Sequence, residues 1–203
     1  MNQGVQKKRH RWSKAGQKVL RELPLQPWAS RRREDLLSAI AMFDQQIQSL
    51  DLAVIEAAEK DPHARLLMTQ PGVGPVTSLA FVLTVGDVSR FPRSKQVASY
   101  LGLIPREYSS GGHRRYGPIS KQGNRFMRML LVEAAQVAVR YDPQMRQEYL
   151  HRCRQKPKGV AKVAAARKLA IRLYWMLRTQ KAYPAIVSIE SSSRVALVVR
   201  HGG

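Results

Sequence analysis

Residues 34–54 read Glu34-Asp35-Leu36-Leu37-Ser38-Ala39-Ile40-Ala41-Met42-Phe43-Asp44-Gln45-Gln46-Ile47-Gln48-Ser49-Leu50-Asp51-Leu52-Ala53-Val54. Leu36, Ile40, Phe43, Ile47, Leu50 and Val54 are spaced by four and three in alternation, the repeat of an a/d seam. Asp44 and Asp51 share one flanking heptad position, as solvated charges beside a seam would. The spacing predicts one long helix over 34–60. Asp61-Pro62 ends it, because the residue before a proline is pushed out of the helical region. Two readings of the seam stand side by side. It packs on the chain's own domain, or it pairs subunits as a coiled coil.

On the N-terminal side, residues 1–33 carry ten basic residues and little periodicity, and Pro24 and Pro27 interrupt any helix before them. A basic arm is expected there. On the C-terminal side, Pro71-Gly72-Val73-Gly74-Pro75 separates a short helical stretch from the apolar run Ser78 to Val85. Gly-Val-Gly between two helices is the pattern of a helix-hairpin-helix turn. In such a turn Gly72 and Gly74 would let backbone N–H groups approach a phosphate. Many helical turns hold two glycines and bind nothing.

Ser94 is a candidate cap for a helix over 95–101, which Gly102 stops. Asn124 to Tyr141 is strongly helical, with Phe126, Leu130, Val137 and Tyr141 as its apolar face. Asp142-Pro143 ends it, and a very basic segment, 144–158, follows. A last helix, Val160 to Arg178, turns Val163, Ile171, Tyr174 and Leu177 inward and its cations, Arg172 among them, mostly elsewhere. Two β-leaning runs, 185–189 and 195–199, form a hairpin or trail. The expected fold is mainly α: a long coiled-coil-like helix, then a compact helical domain with a helix-hairpin-helix-like turn. The expected boundaries are an arm 1–33, a helix 34–60, a domain 61–183 and a tail 184–203.

Thirty-five Lys and Arg face fourteen Asp and Glu, a net charge of +21 in 203 residues. Such an excess repels itself unless a polyanion neutralises it. Nucleic acid is the first candidate and an anionic membrane surface the second. Seven of the acids fall between 34 and 61, whereas twenty Lys or Arg meet five acids from 106 onward. The basic surface therefore belongs to the C-terminal half and the first 33 residues. No apolar run reaches the ~18 residues of a membrane span. Cys153 is alone, so no disulfide framework exists and a reducing, cytoplasmic setting is expected.

The chemistry-bearing stretch is 105–128, Pro-Arg-Glu-Tyr-Ser-Ser-Gly-Gly-His-Arg-Arg-Tyr-Gly-Pro-Ile-Ser-Lys-Gln-Gly-Asn-Arg-Phe-Met-Arg. Ser109 and Ser110 sit beside two glycines, among Arg106, Arg114, Arg115, Lys121, Arg125 and Arg128. Guanidinium groups suit the charge that builds on a phosphate under attack by a hydroxyl. Ser-Ser-Gly-Gly is equally ordinary loop composition. Lys156 and Lys158 add charge further on. Half of the acids are spread along the long helix and its end, and the five histidines are scattered, so no metal site is expected. His113, three residues after Ser110, reads as a base or, more plainly, as a solvated loop residue.

Several ordered motifs resemble the C-terminal transposase domain of the insertion-sequence 116/110/902 family. They are Pro71-Gly72-Val73-Gly74-Pro75, Tyr100-Leu101-Gly102-Leu103-Ile104-Pro105-Arg106, Ser110-Gly111, Ile119 to Arg125 and Ala134-Ala135. The preceding helix resembles the family's coiled coil. The resemblance implies a DNA recombinase that moves insertion sequences, with a structured guide RNA choosing the DNA in characterised relatives. It implies a nucleophile at Ser110, with Ser109 the runner-up, holding a DNA strand as a phosphoserine ester. It implies DNA as partner, a homo-oligomer through the coiled coil, and a bacterial, nucleoid-associated setting. Full-length relatives begin with a RuvC-like domain whose Asp-Glu-Asp-Asp set binds Mg²⁺. This chain is expected to lack it, since Glu22 is the only acid among its first 33 residues, so Mg²⁺ is expected only in that other domain. The chain by itself would bind DNA without recombining it. The alternative is a non-enzymatic helix-hairpin-helix module that binds nucleic acid.

Overall fold

The computed structural model describes residues 13–108 and 115–187. It is mainly α, with one two-stranded sheet among the described residues. Two compact units divide the chain after Ala53.

In the first unit, α1 (Lys14–Glu22) is capped by the Ser13 hydroxyl, which accepts from Gly16 N–H at 3.2 Å. Helix α2 (Pro27–Lys60) begins earlier than its seam alone predicts. The helix before the two prolines ends at Glu22 as expected, and Pro27 itself occupies the first position of α2, where its missing N–H costs nothing. Much of the expected arm is therefore helical. Arg33 Nη1 donates to Leu20 O at 3.1 Å and Leu23 O at 2.9 Å, satisfying carbonyls at the end of α1. The seam side chains Leu36, Phe43, Ile47 and Leu50 are exposed, Leu50 at 65%.

The second unit holds α3 (Pro62–Met68), α4 (Pro75–Val85), a short 3-10 turn (Val88–Arg90), α5 (Ser94–Tyr100), β1 (Pro105–Glu107), β2 (Tyr116–Ile119), α6 (Arg125–Tyr141), α7 (Pro143–Gln155) and α8 (Lys158–Thr179). Asp61 caps α3 through its carboxylate, at 2.7 Å from His63 N. Helix α8 is the axis, with α3, α5, α6 and α7 packed around it. Leu169, Leu173, Tyr174 and Met176 fill the centre against Phe81, Val97, Leu101, Met127 and Leu131.

The inward face of α6, the cap of α5 and the run after 183 depart from what the sequence predicts. The face of α6 that packs inward is Met127, Leu131, Ala134, Ala135 and Ala138, while Phe126, Val137 and Tyr141 are exposed. The alanines meet an alanine-rich α8, in which Ala161, Ala165, Ala166 and Ala170 are buried. Small side chains let two helices approach closely, which outweighs the larger transfer energy of the bulky stripe. Ser94 does not cap α5; Arg93 holds that position, and its N–H donates to Gln96 Oε1 at 3.0 Å. The basic segment after Asp142 is helix α7, started by Asp142, whose Oδ1 accepts from Met145 N at 3.0 Å. Residues 183–187 are helical rather than β, and 195–199 lie outside the described residues.

Arg172 is the sharpest departure. It is fully buried, with Nη1 on Asp142 Oδ2 and Nη2 3.1 Å from Gln144 Oε1. Burial alone would raise the Asp142 pKa. The Met145 N–H and the guanidinium outweigh it and hold the carboxyl below its ordinary value. The pair ties α8 to the cap of α7.

Candidate nucleic-acid interface

The stretch 105–119 folds as a hairpin, which its sequence did not announce. Its strands have three and four residues and contain Pro105, Gly117 and Pro118, so neither shows an alternating run. Pairing is antiparallel, Pro105 opposite Ile119 and Glu107 opposite Tyr116, with a bulge between them. Tyr108 N donates to Arg115 O at 2.8 Å where the strands meet the connection, and Ser120 N to Ile104 O at 2.8 Å at the base. The Tyr108 ring covers Gly117, where a Cβ would lie 2.6 Å from Cε2. Ser109, Ser110 and Arg114 fall in the connection 109–114, outside the described residues.

Below the hairpin, 121–123 runs against the end of α5. Gly102 (φ +67°) and Gly123 (φ +71°) make this possible. A Cβ on Gly102 would lie 2.2 Å from Gln122 O, and one on Gly123 2.2 Å from Tyr100 O. Arg128 Nη1 stitches the crossing through Gln122 O, Gly123 O at 3.2 Å and Leu101 O at 3.3 Å. Arg106 Nη2 donates to Ser120 O at 3.2 Å. Two of the six loop cations therefore also fix the backbone.

The exposed side chains of Arg115, Lys121 and Arg125 meet no acceptor among the described residues. Asn124 Oδ1 caps α6 from Met127 N at 3.1 Å. Arg125 and Arg128 thus occupy the first turn of a helix with no acid there. Cations at the positive end of a helix dipole are unfavourable. The arrangement makes sense if an anion comes to rest there, since it would meet the cations and the dipole together.

Lys121, Arg125 and Arg128 share one cleft of 540 Å³, floored by Leu103, Ile119, Met129, Val132 and Val163. Glu133 also lines it and has no ion-pair partner among the described residues. Reasoning from the sequence missed Met129, Val132, Glu133 and Val163. Met129, and then Val132 with Glu133, fall one and two turns along the helix that Arg125 begins, which was the available signal; Val163 comes from another helix and gave none.

The remaining candidates lie apart from that cleft. Gly72 (φ +87°) faces α6, where its Cβ would lie 2.4 Å from Ala134 O and 2.7 Å from Ala138 N. Its lack of a side chain serves helix packing. Gly74 caps α4, is exposed, and has open space around it. Lys156 and Lys158 are exposed at the turn between α7 and α8. Among the described residues no group of three or more His, Cys, Asp or Glu could hold a metal ion, and no helix is long and apolar enough to cross a membrane.

The sequence model of the IS116/IS110/IS902 transposase family matches residues 64–150, from α3 into α7, across the hairpin and every cleft residue named above but Val163. A Pseudomonas aeruginosa protein described as a "probable family 20 transposase" is 33% identical over 152 residues, 73% of this chain and 43% of that protein. The transposase for element IS1328 of Yersinia enterocolitica is 30% identical over 166 residues, 80% of this chain and 49% of the relative. The transposase for element IS1111A of Coxiella burnetii is 32% identical over 117 residues, 58% and 32% of the two chains. The chain spans less than half the length of these curated relatives. With the family's matched segment covering the hairpin, the double-glycine crossing and α6, this chain belongs to the IS116/IS110/IS902 family of transposases.

Proposed function

We propose that this chain supplies the DNA-holding surface and the serine nucleophile of an insertion-sequence transposase. The observation that supports this most is the gathering of Lys121, Arg125 and Arg128 on one cleft at the base of the hairpin whose connection contains Ser110. In this reading the cations hold a DNA backbone, and the Ser110 hydroxyl attacks one of its phosphates. The attack makes a phosphoserine ester and releases a sugar hydroxyl. The ester keeps the energy of the broken bond, so rejoining needs no nucleotide. Ser109 is the second candidate. Mg²⁺ would be held by the RuvC-like domain that full-length relatives carry, and a guide RNA would lie on the same basic surface.

A nicked suicide DNA substrate, incubated with the chain and a separately supplied metal-binding domain, tests the serine. A covalent protein–DNA adduct is expected on a denaturing gel, and Ser110→Ala should abolish it. An adduct that persists in Ser110→Ala and vanishes in Ser109→Ala would move the role to Ser109.

The exposed seam of α2 is the surface by which two copies would pair. Burying one leucine against a partner stabilises by about 1.5–3 kcal/mol. Both copies carry the change, so Leu50→Glu should weaken self-association by about 150-fold or more. Sedimentation velocity over a concentration series reads this directly, and an unchanged dimer would place the interface elsewhere. Since Leu50 is already exposed in the single chain, the helix itself should survive.

A further inference from the structure

We propose that the cleft beneath the hairpin is a pocket for one unstacked nucleotide, and that Glu133 makes it selective for a base carrying an exocyclic amine. The proposal rests on the nucleic-acid reading above and names what that surface holds. Three features of the cleft point the same way. Its cations stand at one end, where Lys121 and Arg125 have no side-chain acceptor among the described residues and the α6 N-terminus adds its dipole. Its floor is apolar, and Met129 contributes a thioether half exposed to solvent, which suits the face of an aromatic ring. Its far end is the Glu133 carboxylate, which has no ion-pair partner among the described residues. From Arg125 to Glu133 is eight residues of helix, or about 12 Å at 1.5 Å each. That matches the reach from a phosphate, across its sugar, to the outer edge of its base.

Glu133 is the discriminating group. Asp142 and Glu148 are committed to Arg172 and Lys168, whereas Glu133 has no ion-pair partner among the described residues and shares its cleft with Lys121, Arg125 and Arg128. A carboxylate accepts and cannot donate. It can therefore take the amine of guanine, cytosine or adenine, and guanine offers a second N–H beside it. Thymine and uracil present one N–H between two carbonyl oxygens, which a carboxylate repels. A volume of 540 Å³ exceeds one base, leaving room for the sugar and water. A duplex cannot place a stacked base in such a cleft, so the strand must be single or the base must leave its stack.

The test uses the full chain and fluorescein-labelled hairpins, in DNA and in RNA form, that are fully paired or carry one unpaired G, C, A, or T/U. Anisotropy titrations should show unpaired G, C and A bound at least about fivefold tighter than unpaired T or U. The polymer that binds tighter names the source of the nucleotide. Glu133→Gln, whose amide both donates and accepts, should level the four bases. Val163→Phe fills the floor and should bring the unpaired hairpins down to the affinity of the fully paired one. Equal binding of the four bases by the unaltered chain, or an unchanged ranking in Glu133→Gln, overturns the pocket while leaving the nucleic-acid surface intact. Absence of binding to every hairpin overturns that surface as well.

Discussion

Arg172→Ala is expected to lower the unfolding free energy by about 3–5 kcal/mol, a large part of the stability of a domain this size. The guanidinium is wholly enclosed, and its removal leaves Asp142 buried without a counter-charge. The loss reaches α7, because Asp142 also caps that helix through Met145 N. Arg172→Met with Asp142→Leu should cost much less, since two apolar groups leave no orphaned charge. The pH dependence separates charge from packing. Asp142 titrates below its ordinary value of 3.8, so its share of the stability is complete above that value and is lost as pH falls through the lower folded one. In Arg172→Ala burial has one opponent fewer, and the carboxyl should shift upward. The gap between variant and parent, read from urea midpoints, should therefore be widest near pH ~7 and narrow toward pH ~3. A gap independent of pH would mean that the arginine acts only by filling space.

The second large effect is expected at Gly102. An alanine there places Cβ 2.2 Å from Gln122 O and 2.6 Å from Gln122 N, both backbone atoms that cannot swing aside. The overpacking costs about 1–3 kcal/mol. A left-handed φ adds about 1–2 kcal/mol for any residue with a side chain. The local consequence matters more than the sum. Segment 121–123 must lift from 100–102, so Arg128 loses its three carbonyls and the cleft opens. Gly102→Ala should therefore weaken nucleic-acid binding as well as stability. Gly74→Ala is the control, because nothing lies within 4 Å of its Cβ. Thermal melts and binding titrations on both variants decide the matter: equal effects at the two glycines would refute the crossing as the organising contact.

Some of this was legible from residues alone. Alternating spacings of four and three gave the long helix because a helix buries or offers one stripe whatever lies opposite. Asn124 stood at the start of the expected 124–141 helix, where a short oxygen-bearing side chain has a local job as its cap, whereas Asp61 read only as the end of the helix before it and its capping of α3 came from the structure. The inward face of α6 was not legible. Two stripes run down that helix, Phe126–Leu130–Val137–Tyr141 and Met127–Leu131–Ala134–Ala138, and both have helical spacing. Side-chain size favours the first, but the partner helix α8 presents alanines, so the close fit selects the second. The hairpin was invisible for a related reason. Its strands are too short to show a period, and long-range contacts hold them: Gly102 under Gln122, Arg106 on Ser120.

By itself, the sequence determined a basic, mainly helical chain with a long heptad helix, and a serine–glycine segment among cations. Charge and spacing are properties of neighbours along the chain, and they survive without a fold. Only the tertiary structure decided which of the described cations tie down backbone, since Arg106 and Arg128 reach carbonyls whose positions depend on how segment 120–123 crosses the end of α5. It also decided that Arg172 lies inside, because only packing brings Asp142, thirty residues away, within reach of it. Glu133 and Val163, unremarkable in the chain, became walls of one cleft when α8 closed against α6.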